Sequence, residues 1–162
     1  MNSVSRPHTA LITSASIACS VWGATSFADT PCPGVALTEV RSLTQLSPTL
    51  RQVLPKKTDG LDGIADRGAK FNSGDALVDN LPRQRFGMAA VGTKCAIIAV
   101  EHGGIAFHTM MTEYHFTDAG WRPTSYRTTT TSPDSMADLL RRYEAARQCP
   151  QTPIGEGRTC ID

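Results

Sequence analysis

The chain is short of most features that announce a function. It has no run of about twenty predominantly apolar residues, so no membrane-spanning helix is expected. Neither sign of charge dominates, with sixteen Lys and Arg against fifteen Asp and Glu in 162 residues. A nucleic-acid binder needs a basic surface to neutralise phosphates, so nucleic acid is not an expected partner. The same balance gives no electrostatic reason to meet an acidic membrane. No Gly-x-Ser-x-Gly elbow, phosphate loop, dinucleotide fingerprint or His-Glu-x-x-His pair occurs, which removes the motifs that most often betray hydrolases, nucleotide enzymes and zinc peptidases. No cofactor and no metal are implied by any motif.

Cysteine is scarce, five in all, and its placement is informative. Cys19 lies in a segment that reads as an export signal. Met1 to Thr9 hold Arg6 and no acid, Ala10 to Val21 are small and apolar, and Ser26 and Ala28 occupy the positions of a small-residue cleavage site. A competing reading takes Cys19, after Ala18, as a lipid-anchored residue. With residues 1–28 removed, 134 of the 162 remain, the size of one domain, carrying fifteen basic and fifteen acidic side chains. The expected location is the periplasm or the exterior. Four cysteines then remain for an oxidising compartment. Cys32 with Cys95 and Cys149 with Cys160 is the preferred of three possible pairings. Cys95 as a free nucleophile would need a base beside it, and its sequence neighbours supply none.

The mature chain begins with the proline-punctuated DTPCPG. Val35 to Leu46 is assigned to a helix from Ala36, Val40 and Leu43, although Val35 and Leu37 also suit a strand. Ser47 caps a short helix, with Pro48 in its first turn and Leu50, Val53 and Leu54 on one face before Pro55. Residues 55–82 form a long loop rich in Gly and Asp. Its acids lack the alternate spacing and closing Glu of a calcium loop, so a series of turns is the simpler expectation.

Four apolar runs follow between Arg83 and Arg127: RFGMAAVG, KCAIIAVEH, IAFHTMMTEYHF and WRPTSYR. Turns of two to four residues between them require antiparallel neighbours, and Pro123 confines the last run to an edge or a break. Ser132 is taken to cap a helix with Pro133 in its first turn and Met136, Leu139, Leu140 and Tyr143 on one face, closed by Pro150. The sequence therefore predicts an α+β domain: an antiparallel β-meander of three to four strands packed against a C-terminal helix, with short N-terminal helical segments. There is no internal repeat. The layout is that of small exported bacterial proteins, an analogy that carries no site.

The stretch VEHGGIAFH, Val100 to His108, collects a carboxylate, two histidines and two glycines. With Gly103 and Gly104 as a two-residue turn, Ala99 faces His108. Ala96, Ile98, Val100, Ile105, Phe107 and Met111 then form the core face. Glu101, His108, Met110, Thr112 and Tyr114 share the other, with Cys95 and Ile97. His102 and His108 fall on opposite faces, as do His108 and His115, so the histidines diverge where a zinc ion needs three or four converging ligands. Glu101, His108 and Tyr114 are the candidate binding residues, and no residue is assigned a catalytic role. Arg83, Arg85 and Lys94 read as a solvated basic edge. The expected function is non-catalytic binding of another protein, as an inhibitor, an immunity-type partner or an envelope accessory. The alternatives are a hydrolase using Glu101 and His108 with Asp62 or Asp66, and a small-ligand binder on the same face.

Overall fold

The computed structural model describes residues 31–54, 57–58, 61–76 and 80–148. The expected signal segment, Cys19, Pro55, Pro150 and the Cys149–Cys160 pairing lie outside them. Eight strands and two α-helices follow in order: β1 (Thr38–Val40), α1 (Pro48–Gln52), β2 (Lys57–Thr58), β3 (Leu61–Asp62), β4 (Ile64–Ala65), β5 (Gln84–Val91), β6 (Cys95–His102), β7 (His108–Thr117), β8 (Gly120–Thr129) and α2 (Met136–Gln148). The chain is α+β. Strands β5 to β8 form the expected meander, extended at the β5 edge by β1 antiparallel and β4 parallel, in the order β1-β5-β6-β7-β8. Among the described residues no helix is long and apolar enough to cross a membrane.

Strand β6 shows why the meander holds together. Its residues Cys95 to Glu101 are all buried, on both faces of the sheet. An uninterrupted apolar run is what a strand covered on both sides requires. On one face Ala96, Ile98 and Val100 pack with Phe86, Tyr114 and Trp121 beneath Val40, Leu46, Leu50 and Leu54 from the N-terminal segment. On the other, Ile97, Ala99, Met88 and Met111 pack against Leu139 and Tyr143 of α2. A bulge at Gly87, between Phe86 and Met88, lets both of these even-numbered residues reach opposite cores. The Cys32–Cys95 disulfide ties the N-terminal segment to the first residue of β6, the preferred one of the possible pairings for these two cysteines. It is a covalent link suited to an oxidising environment.

Helix α1 forms as expected: Ser47 Oγ accepts the Leu50 amide at 3.2 Å, Pro48 opens the helix, and Leu50 is fully buried. Pro123 lies on the edge strand β8, beside a bulge that leaves Thr124 unopposed. The stripe Met136, Leu139, Leu140 and Tyr143 is the buried face of α2.

Three expectations are corrected. Val35 to Leu46 is not a helix but β1 followed by a single 3-10 turn, Leu43–Gln45. Pairing with β5 satisfies both backbones, and alternation sends Val35 and Leu37 to one core and Val40 to the other. Ser132 does not cap α2. The helix starts three residues later, where Ser135 accepts the Asp138 amide at 3.2 Å and Glu39 of β1 accepts the Met136 amide at 2.7 Å. Ser132 instead donates to the buried carboxylate of Glu101. The third correction is the β6–β7 register. His102 faces His108, Glu101 faces Thr109 and Ala99 faces Met111. Residues 103–107 all belong to the connection. The three-residue slip is odd, so it moves every β7 side chain to the face opposite the expected one.

Candidate functional site

The register separates the residues expected to act together. Glu101 lies on the α2 face with Thr109, Met111 and Glu113, whereas His108 lies on the other face with His102 and Gln84. The shared face expected for Glu101, His108 and Tyr114 is not assembled. Tyr114 packs in the core beneath the N-terminal segment, where burial raises its phenol pKa. Asp66 is an anchor: its carboxylate accepts from Ser42 Oγ at 2.6 Å, the Leu43 amide at 2.9 Å and its neighbour Arg67's amide at 2.8 Å. Burial pushes Asp66 up, but these three bonds outweigh it and hold the group below its ordinary value.

Glu101 is 6% exposed and fully engaged. Arg85, directly opposite on β5, pairs with one carboxylate oxygen, and Ser132 donates to the other. The Ser132 hydroxyl also lies 3.0 Å from Thr109 Oγ1. Arg85 is held from its far side by the Phe71 ring, 4.3 Å from the guanidinium carbon. Arg67 donates to the carbonyl of Gly87, the bulge residue, at 2.7 Å. Between them is a cleft of about 250 Å3 lined by Arg67, Arg85, Glu101 and Ser132 over Phe86 and Pro133.

On the opposite face, Gln84, His102 and His108 form a polar rung across three strands. The two imidazoles stack at 4.9 Å with a 9° tilt, and Gln84 Nε2 lies 3.3 Å from His102 Nδ1. Burial, and then the charge of His108, lowers the His102 pKa. His102 Nε2, Gln84 Oε1 and Asn72 Nδ2 are buried without a hydrogen-bond partner among the described residues.

Beyond this rung the β6–β7 connection is pinned to residues 72–83. Asn72 N donates to Pro82 O at 2.8 Å, Gly103 N to Arg83 O at 2.8 Å and Gly104 N to Ser73 O at 3.4 Å. A Cβ on Gly103 would stand 1.8 Å from Asn72 O, and Gly104 has φ +121°. The double glycine is therefore needed by close backbone approach and by a left-handed turn. This pinned loop holds Ile105 92% exposed and Phe107 39% exposed, with the Phe71 ring 6.4 Å from that of Phe107.

A second, partly buried cluster is not legible in the sequence. Glu113 Oε1 lies 2.9 Å from His115 Nε2 and 3.7 Å from Cys95 Sγ, and His115 Nε2 lies 3.6 Å from the same sulfur. Glu113 Oε2 accepts from Tyr143 OH at 2.8 Å and Ser125 Oγ at 3.2 Å. Burial raises the Glu113 pKa, but bonds from His115, Tyr143 and the Cys32 amide outweigh it, and the net shift is downward. Burial and the Glu113 contact push Tyr143 up to about 12. The sequence signal was the common parity of Cys95, Glu113 and His115, which becomes a cluster only in the observed register.

Compared with protein-family models, curated proteins and solved structures, the chain has no significant match in any of the three.

Proposed function

We propose that this is a small exported binding protein, without a catalytic role, that engages a protein partner through the β6–β7 tip. The observation that carries the reading is Ile105, 92% exposed on a loop joined by two backbone bonds to its neighbour. An exposed large apolar side chain costs solubility, and one on a loop whose backbone is pinned at Gly103 and Gly104 leaves less backbone ordering entropy to lose at an interface. Aromatic and branched anchors of this kind dominate interface energetics. The partner would be an enzyme to be inhibited, a toxin to be neutralised, or an envelope component. Export through a signal cleaved near Ala28 into the periplasm or the medium fits the disulfide, with a lipid on Cys19 as the alternative. Intact mass of the exported protein distinguishes the two.

Ile105→Asp should leave the unfolding free energy within about 0.5 kcal/mol of the parent, because the side chain packs against little. The same change should abolish recovery of whatever protein the parent retains from periplasmic extract. Equal recovery by parent and Ile105→Asp would sink the assignment of the tip.

One observation favours a second reading. The cleft at Glu101 presents two guanidinium groups, a carboxylate and a hydroxyl over an apolar floor, a polar set suited to a small zwitterion or carboxylate. A thermal-shift screen of such compounds, with hits lost in Arg67→Met, would support it.

A further inference from the structure

Cys32, Cys95 and Glu113 are all buried, and their ligand atoms lie within 4.8 Å of one another. His115 Nε2 stands outside this 4.8 Å group but 3.6 Å from Cys95 Sγ and 2.9 Å from Glu113 Oε1, on a side chain that reaches solvent, and joins the set once Cys32 Sγ is released. We propose that the reduced protein binds one zinc ion through Cys32 Sγ, Cys95 Sγ, Glu113 Oε1 and His115 Nε2, so that the disulfide and the metal are alternative occupants of one site.

The spacing is the first argument. Zinc bonds of about 2.0–2.3 Å arranged tetrahedrally set ligand atoms about 3.3–3.8 Å apart. Cys95 Sγ already stands 3.6 Å from the imidazole nitrogen and 3.7 Å from the carboxylate oxygen. His115 and Glu113 need to separate slightly from 2.9 Å, as they do once an ion replaces their mutual bond. Cys32 Sγ moves away from Cys95 when the disulfide opens.

The second argument is the surrounding support. Glu113 turns Oε2 to Tyr143 OH and Ser125 Oγ, leaving Oε1 toward the sulfurs and the imidazole. Outer hydrogen bonds of this type orient a ligating carboxylate and raise metal affinity. Strands β6 and β7 fix three of the four donors, and the N-terminal segment brings the fourth. The set of two thiolates, an imidazole and a carboxylate suits zinc and not a hard cation such as calcium or magnesium.

The chemistry balances with a dithiol reductant. Its two thiols pass two electrons and two protons to the Cys32–Cys95 bond; the reductant becomes a disulfide, and two protein thiols form. Zinc then binds as both thiols release their protons to solvent. Reoxidation needs the metal to leave, so zinc protects the thiols and the disulfide excludes zinc.

The test uses the full exported chain with Cys149→Ser and Cys160→Ser, which removes the other two thiols. Reduced protein titrated with cobalt(II) should show thiolate-to-cobalt charge-transfer bands and tetrahedral d–d bands saturating at one equivalent, displaced by zinc. The oxidised protein should show none. His115→Ala should weaken binding by more than the roughly 10- to 100-fold that loss of a supporting partner costs. Tyr143→Phe should fall within that range. If the reduced chain unfolds without metal, zinc should restore its far-UV circular dichroism. Absence of the charge-transfer bands in reduced protein overturns the proposal. So does affinity unchanged in both His115→Ala and Glu113→Gln, or failure of zinc to restore a lost fold.

Discussion

His102 has a neutral ring as its comfortable state. Burial and the stacked His108 ring both penalise its protonation and lower its pKa from 6.5. In the unfolded chain the same group takes up a proton at its ordinary value, so the unfolded state binds more protons in the interval between the two. Its contribution to stability is complete above pH 6.5 and is lost as pH falls through the lowered folded value. Urea midpoints measured from pH 7.5 downward should therefore decline starting near 6.5, and His102→Gln should flatten that limb. A second decline should begin below about 4.5, where the unfolded chain's carboxylates take up protons while Glu113, Asp138 and Asp66, all lowered, stay ionised in the fold. A parent curve flat from pH 7.5 to 5 would remove the assigned role of His102. The two histidines were visible in the sequence, but their stacking was not. A two-residue turn was the economical choice for Gly103 and Gly104. The longer connection instead bonds the Gly103 and Gly104 amides to the Arg83 and Ser73 carbonyls, with the Asn72 carbonyl oxygen leaving no room for a side chain at Gly103.

At the scale of elements, α2 was legible from its apolar stripe, and its start was not. Ser132 has every local qualification for a cap, yet the Glu101 carboxylate takes its hydroxyl from 31 residues away. The cap passes to Ser135, with Glu39 from β1 taking the Met136 amide and settling below its ordinary pKa because of that bond and the Arg41 contact. Within the helix, Asp138 binds Arg142 at 2.7 Å and Arg141 at 2.6 Å, one turn on. Ser135→Ala should cost about 1 kcal/mol. Leu139→Ala should cost about 2–5 kcal/mol, since the side chain is fully buried in the α2 core. Both are read from urea unfolding. A neutral Ser135→Ala would remove the cap assigned to Ser135, whereas a loss in Ser132→Ala is expected in either case because its bond to Glu101 goes with it. The same long-range logic explains β1, where the helical spacing of Ala36, Val40 and Leu43 gave way to the unsatisfied edge of β5.

The whole molecule is a meander clamped between two covers, α2 on one face and the N-terminal segment on the other. The Cys32–Cys95 link spans 63 residues and enters the α2-side core. On the chain-entropy account a loop of that length stabilises by about 4 kcal/mol. The double substitution Cys32→Ser and Cys95→Ser should lower the unfolding free energy by that order, measured in urea without metal. A loss below about 1 kcal/mol would mean that the packing of the N-terminal segment alone holds the cover in place. The candidate tip at Ile105 lies at one end of this assembly and the Cys95 cluster toward the other, since β6 runs from Cys95 to His102 between them.

By itself the sequence determined what local chemistry can determine. Ser47 and Pro48 start a helix wherever they lie, four closely spaced apolar runs must pair antiparallel, Pro123 must sit at an edge, and an apolar stripe on α2 must be buried. Only the tertiary structure decided which residues meet. A strand's two faces differ by a single residue of register, and nothing local fixes that residue when both faces are apolar, as on β6. The choice fell to contacts distant in sequence: Asn72 against Gly103, Ser132 on Glu101, and Cys32 on Cys95. That register parted Glu101 from His108, joined His102 to His108, and set Glu113 and His115 beside the disulfide.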